Sequence, residues 1–328
     1  MKKLLISLAI AIFSIGLIAQ ASDLIIESKT QSYSESDNKI KFNGNVKVTV
    51  DDLKVVGDSA DVDITDDQKL NTATFYDKPY AYETKKNKKR EVKANILKVS
   101  LITKIVRAEG DTQSVVFDGK TPIVVINSDV QEYNTNTSVM TATGNVTMKY
   151  KDIDTVSDKA IIKMDKNGDV KTLELIGNGK VKQKANDSHA DRFFYDSATK
   201  IITAIGDTTS HITSDDGKKM TLKSNMQEFM QDKNTFSASG NVRVWYDDYH
   251  AKGPKINVYP GKDGKPNDIY FVGRSSISQG VRTIYADKIQ MKLKPKDFRA
   301  EGNTRTVIKN IGSNDNGNSG NSGMTLGL

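Results

Sequence analysis

Three histidines, His189, His211 and His250, are the imidazoles of a 328-residue chain that contains no cysteine. None of them stands at a metal-ligand spacing from another, so the sequence predicts no metal centre. A Gly-x-Ser-x-Gly nucleophile elbow and a phosphate-binding loop are both missing. Carboxylates are plentiful enough for an acid/base pair of the glycosidase kind. The ones that stand out, Asp52, Asp152 and Asp248, occupy matching places in a repeated segment, and a residue that recurs in every repeat is more readily scaffold than active site. Asp165-Lys166-Asn167-Gly168-Asp169 begins like a calcium loop but lacks the closing Glu, and its Asn-Gly pair is a hairpin signal. The residues predict no catalytic site, no metal and no cofactor.

What must be positioned instead is a repeated strand. Gly44-Asn45-Val46-Lys47-Val48-Thr49-Val50 returns as Gly144-Asn145-Val146-Thr147-Met148-Lys149-Tyr150 and as Gly240-Asn241-Val242-Arg243-Val244-Trp245-Tyr246. A second motif closes each copy: Ala108-Glu109-Gly110-Asp111-Thr112, Ala204-Ile205-Gly206-Asp207-Thr208 and Ala300-Glu301-Gly302-Asn303-Thr304. Repeats of this length mark an array rather than separate domains. Within the motif, apolar and polar residues alternate with the period of a half-buried strand. Gly-Asn before it and Asp after it read as turns. Smaller units of roughly 30 residues recur inside each copy, each opening on a small residue followed by Asp or Asn, as at Ala190-Asp191 and Ala286-Asp287. At about ten residues per strand and turn, some 25 to 30 strands are expected. The copies fall near 23–122, 123–218 and 219–311, with no Pro- or Gly-rich linker between them.

The ends differ from the array. Met1-Lys2-Lys3, an apolar run from Leu4 to Ile18 and Ala19-Gln20-Ala21 read as a cleaved secretory signal peptide over residues 1–21. The Gly-, Ser- and Asn-rich stretch from 312 to 328 reads as a disordered tail. The formal charge of +7 falls to +5 once Lys2 and Lys3 are removed. Both signs are interspersed, which excludes a nucleic-acid-binding stripe. Without cysteine, an exported chain holds together by burial and backbone pairing.

Two groups of residues are candidate binding sites. Val46, Val48, Val50, Val146, Met148, Tyr150, Val242, Val244 and Tyr246 fall on matching sides of equivalent strands and make an apolar stripe along the array. The stripe is either a closed core filled by its own side chains or an open groove that holds an acyl chain. The first copy is four residues longer than the others, and the extra length falls at Lys85-Lys86-Asn87-Lys88-Lys89-Arg90. This run is either a solvated hairpin tip or a contact for the phosphates of a lipid head group.

The recurrent small-Asp segment, the Gly-Asn-Val-x-Val strand and the Ala-x-Gly-Asp/Asn-Thr closure resemble the OstA-like family over essentially the whole mature chain. That family comprises periplasmic lipopolysaccharide-transport proteins of the LptA and LptC type, and its domain also stands at the front of LptD. The resemblance implies an all-β fold, an elongated and repetitive jellyroll of bent, twisted antiparallel sheets. It further implies a periplasmic bridge that carries lipid A acyl chains on its inner face and joins other OstA-like proteins, or copies of itself, through its strand edges. A structural or surface-interaction protein with a closed β-solenoid core and no lipid is the alternative. A polysaccharide-processing enzyme on a repetitive β scaffold is a weaker third.

Overall fold

The computed structural model describes residues 25–309 apart from 51–52, 68, 86–87, 101, 166–168, 214–216, 263–265 and 294–295. The signal peptide expected over 1–21 and the tail expected over 312–328 lie outside the described residues. The strands are β1 (Ile25–Glu27), β2 (Thr30–Ser34), β3 (Lys39–Val50), β4 (Leu53–Ile64), β5 (Leu70–Tyr76), β6 (Tyr80–Lys85), β7 (Lys88–Lys93), β8 (Ile96–Ser100), β9 (Ile105–Asp118), β10 (Thr121–Asn134) and β11 (Val139–Tyr150). They continue as β12 (Ile153–Met164), β13 (Val170–Gln183), β14 (Asn186–Asp196), β15 (Ile201–Thr213), β16 (Lys219–Met230), β17 (Thr235–Tyr246), β18 (Tyr249–Pro260), β19 (Pro266–Gln279), β20 (Arg282–Leu293), β21 (Lys296–Glu301) and β22 (Arg305–Ile308). All belong to one antiparallel sheet. From β9 to β20 each strand pairs with the one before it and the one after it, a plain meander.

The Gly-Asn pairs do not open strands, as their turn chemistry suggests. They sit in the middle of them. Gly44 and Asn45 lie inside β3, Gly144 and Asn145 inside β11, and Gly240 and Asn241 inside β17, each pair in the left-handed region. The pairing slips at each place, between Thr143 and Val146 in β11 for example, which is the signature of a β-bulge. Strands are therefore longer and fewer than expected, 22 among the described residues. Gly is required at 144, because φ is +77° and a Cβ would overlap the Asp129 carboxylate. That carboxylate accepts a hydrogen bond from Asn145 Nδ2 at 3.0 Å. Asn178 donates likewise to Asp158 at 2.9 Å, and Asn303 to Asp287 at 2.6 Å. The recurrent small-Asp segments of the sequence are thus the partners of the recurrent Gly-Asx segments.

These latches form a line of bends across the sheet. In β12, Thr155 and Ser157 are buried on one side of the bend and Ala160 and Ile162 on the other. Ser157 and Ala160 are three residues apart, so an unbroken strand would turn them to opposite faces. The bend returns both to the interior. Gln131 makes the closure visible, since its Nε2 donates to the carbonyl of Ile126 on the far half of its own strand. One apolar cluster runs from Phe42 to Ala204 and a second from Leu222 to Met291.

The first copy departs from the pattern for a local reason. Where the second copy has Gly179 inside the long strand β13, the first has Pro79 after Asp77 and Lys78, both with positive φ. Proline has no N–H to give the ladder, so one long strand becomes β5 and β6, and its neighbour becomes β7 and β8. No helix among the described residues is long and apolar enough to cross a membrane.

Candidate functional site

The stripe residues take inward positions. Val46, Val146, Met148, Tyr150, Val242 and Val244 are buried, while Val48 and Tyr246 are half-buried and pack against the apolar clusters. Val50 closes β3, and its side chain lies outside the described residues. The alternating residues Lys47, Thr147 and Arg243 face outward and are exposed. Bulge chemistry and strand period together aim these residues inward.

The interior is filled. A cleft where the first copy meets the second, lined by Leu53, Val55, Val92, Leu97, Tyr133 and Met140 among others, holds about 30 Å³ of free space. A second in the third copy, beside Val244, Tyr246 and Phe271, holds about 20 Å³. Each has room for roughly one water molecule. Between apolar stretches lie buried polar layers. Thr112 Oγ1 donates to the carbonyl of Ser128 at 2.7 Å, and the Ser114 hydroxyl donates to Gln131 Oε1. The same layer recurs as Thr208 on Ser224 at 2.8 Å and Ser210 on Gln227 at 2.6 Å.

The basic run belongs to the hairpin of β6 and β7. Glu83 and Arg90 face each other in register, as Gln183 and Asn186 do in the second copy. Two further pairs, Thr84 with Lys89 and Lys85 with Lys88, extend the hairpin beyond that point. Alternation then splits the run between two faces. Arg90 is 8% exposed and stands 3.6 Å from the Glu83 carboxylate. Lys89 faces the other way, where it pairs with Glu91 and lies over the rings of Tyr80 and Tyr82, 5.8 and 5.4 Å from their centroids. Burial opposes ionisation of Glu91, but the bonds from Lys89 and Tyr80 outweigh it and hold its pKa below the usual value. Lys86 lies outside the described residues, as do the side chains of Lys85 and Lys88.

One constellation has no counterpart in the sequence motifs. His211 on β15 lies in register with Asp187 on β14, and His189 is two residues along the same face. Asp187 Oδ2 is 3.0 Å from His189 Nε2 and 3.1 Å from His211 Nδ1. The bond to His211, with that to His189, holds the Asp187 pKa below its ordinary value against partial burial. Residue spacing hides the group. The signal that reveals it is the strand register.

A sheet bent along a line of bulges around an apolar interior, and repeated along the chain, defines an all-β protein of tandem jellyroll units. The family described as LptA/(LptD N-terminal domain) LPS transport protein matches residues 25–120 and again 125–221, more than half of the chain. The chain belongs to that family. Its members are transport proteins rather than enzymes, and it implies lipopolysaccharide and Lpt proteins as partners in general. Among solved structures, the chain is similar to LptH of Pseudomonas aeruginosa, described as the LptA homologous periplasmic component of the lipopolysaccharide transport device. The two are 10% identical with a TM-score of 0.35, over 39% of this chain and 95% of LptH. No curated protein sequence matches the chain.

Proposed function

We propose that the three copies form one periplasmic carrier that binds lipopolysaccharide, or an amphiphile of that kind, by its acyl chains and is not an enzyme. The observation that carries this reading is the inward stripe, Val46 and Val48, then Val146, Met148 and Tyr150, then Val242 and Val244, along one continuous sheet. Burial at about 25 cal/mol per Å2 makes several acyl chains a sufficient driving force. The filled interior adds a condition: loading separates the two halves of the bent sheet and puts lipid contacts in place of contacts between side chains. Contact with head-group phosphates then rests on Lys85, Lys86 and Lys88, since Lys89 and Arg90 already face carboxylates.

The ends support head-to-tail pairing with a family partner or a second copy. β1 and β2 hold the place that β10 and β16 hold in the array, and β21 and β22 hold the place of β9 and β15. Carrying the internal register across such a junction sets Thr304 against Ser28, Thr306 near Gln31, Arg305 against Glu27 and Phe298 against Tyr33. Tyr33 is 59% exposed, whereas Tyr133, its internal counterpart, is 6% exposed.

The small free volume of the interior favours one other reading, a closed-core interaction protein with no lipid cargo. Mass spectrometry of lipid that co-purifies with the chain separates the two. Lipopolysaccharide in stoichiometric amount supports the carrier, and its absence after expression in a lipopolysaccharide-making host supports the closed core.

A further inference from the structure

We infer that Asp187, His189 and His211 form a binding site for one divalent transition-metal ion of the zinc, copper and nickel group. The three ligand atoms lie within 4.8 Å of one another. A tetrahedral ion bound at about 2.0–2.1 Å holds its ligands about 3.3–3.4 Å apart. The two contacts of Asp187, at 3.0 and 3.1 Å, need to open by only about a few tenths of an ångström, while the two imidazole nitrogens, within 4.8 Å of each other, close on the ion by rotation of their side chains. The rings stand edge to face at 78° with centroids 6.4 Å apart, so neither ring stacks across the other's nitrogens. A fourth position is left for water or an anionic oxygen.

Three further observations set this cluster apart from the scaffold. It uses two of the chain's three histidines. It does not recur: the same register positions hold Glu91, Lys93 and Val115 in the first copy and Thr283, Tyr285 and Val307 in the third. It lies on the outward face, because Ser188 and Ser210, the neighbours of opposite parity, are bonded to each other on the inner side at 2.8 Å. The choice of metal follows from the surroundings. Lys182 lies in register with Asp187 and Lys180 with His189, so two lysines share the face of the site. One carboxylate with two lysines on the neighbouring strand does not draw a hard cation. Imidazole coordination does the binding, which selects zinc, copper or nickel over magnesium and calcium.

The test uses the full chain without a histidine tag, stripped with a chelator and titrated with Zn2+ against a chromogenic competitor. One Zn2+ per chain is expected, unaffected by a hundredfold excess of Mg2+ or Ca2+. His189→Gln and His211→Gln should each weaken binding by at least about tenfold, His250→Gln should leave it unchanged, and circular dichroism should show the same β spectrum in all of them. Electron paramagnetic resonance of the Cu2+-loaded wild-type chain supplies a reading that needs no variant, with coupling to two imidazole nitrogens expected. Substoichiometric Zn2+, a wild-type affinity in either histidine variant, or copper without nitrogen coupling would overturn the site. None of these outcomes depends on whether the interior carries lipid.

Discussion

The hydroxyl of Ser210 donates to Gln227 Oε1 at 2.6 Å in the interior, and the same bond recurs 96 residues earlier between Ser114 and Gln131. Both glutamines also turn their nitrogen toward a carbonyl of their own strand, Leu222 and Ile126 respectively. A polar layer of this kind is stable only while each member is satisfied. Gln227→Leu would take the glutamine acceptor from the buried Ser210 hydroxyl and leave it only Ser188, at a cost of up to about 1–3 kcal/mol. Ser210→Ala combined with Gln227→Leu should recover much of the loss. Urea denaturation of the single and double variants measures the coupling, and a fully additive result would mean that the bond adds nothing to stability.

A second expectation concerns the bends. Gly144 and Gly217 both have positive φ, +77° and +79°, but only Gly144 has a neighbour where a Cβ would go, the Asp129 carboxylate. Gly217→Ala should cost roughly 1–2 kcal/mol for the left-handed backbone alone. Gly144→Ala adds displacement of Asp129 and of its bond from Asn145, so its denaturation midpoint should fall further. Equal midpoints would show that the latch adds nothing to the bend.

The same residues explain what was legible in the sequence. The period and the small-Asp to Gly-Asx correspondence could be read because every copy builds the same bend from the same few side chains. The Gly-Asn pairs read as turns in the sequence and are bulges in the structure, because positive φ serves a hairpin turn and a mid-strand bulge equally well. Arg90 faces inward because the hairpin continues its alternation past Glu83, which a run of like charges conceals. The cluster around Asp187 depends on a pairing between residues 24 apart in the chain, and register is set by the whole sheet, not by local spacing.

Acid should loosen the first copy through Glu109. Its carboxylate accepts from Arg107 Nε at 2.6 Å and from Lys98 at 3.0 Å, and these bonds hold its pKa below the ordinary 4.5. A lowered folded-state pKa gives stability that is present above pH 4.5 and is lost as pH falls through the folded value. Glu109→Gln should lower stability at neutral pH, leave it little changed in acid, and so flatten the acid limb of a stability-against-pH curve. An acid limb of unchanged slope would remove Glu109 from the cause.

The two faces of the repeated strand should report differently on lipid. Photo-crosslinkers at Val48, Met148 or Val244 face the interior, and those at Lys47, Thr147 or Arg243 face out. Lipopolysaccharide is expected on the first set only. Labelling of both faces alike, or of neither, would favour the closed core.

The junction between copies offers the sharpest test of assembly, because the chain has no cysteine to confuse it. Inside the array, Thr112 and Ser128 hydroxyls lie 3.0 Å apart across two paired strands, and Thr208 and Ser224 lie 2.7 Å apart. Thr304 and Ser28 are the corresponding residues of the two ends, at the edges of the described sheet. If one chain docks its last strand on the first strand of another, those two side chains meet at the same distance. Chains carrying Thr304→Cys and chains carrying Ser28→Cys, mixed and oxidised, should therefore form a disulfide-linked dimer in high yield. Neither variant alone should, since two identical ends do not meet in a head-to-tail contact. Thr304→Cys mixed with Lys29→Cys shifts the register by one residue and turns the second thiol to the other face, so little product is expected. Free edges invite such pairing because their N–H and C=O groups otherwise bond only water. Equal yields from the matched and shifted pairs would mean random collision, and no product from the matched pair would end the head-to-tail assignment for this chain, leaving the lipid-binding interior to be judged by the crosslinkers.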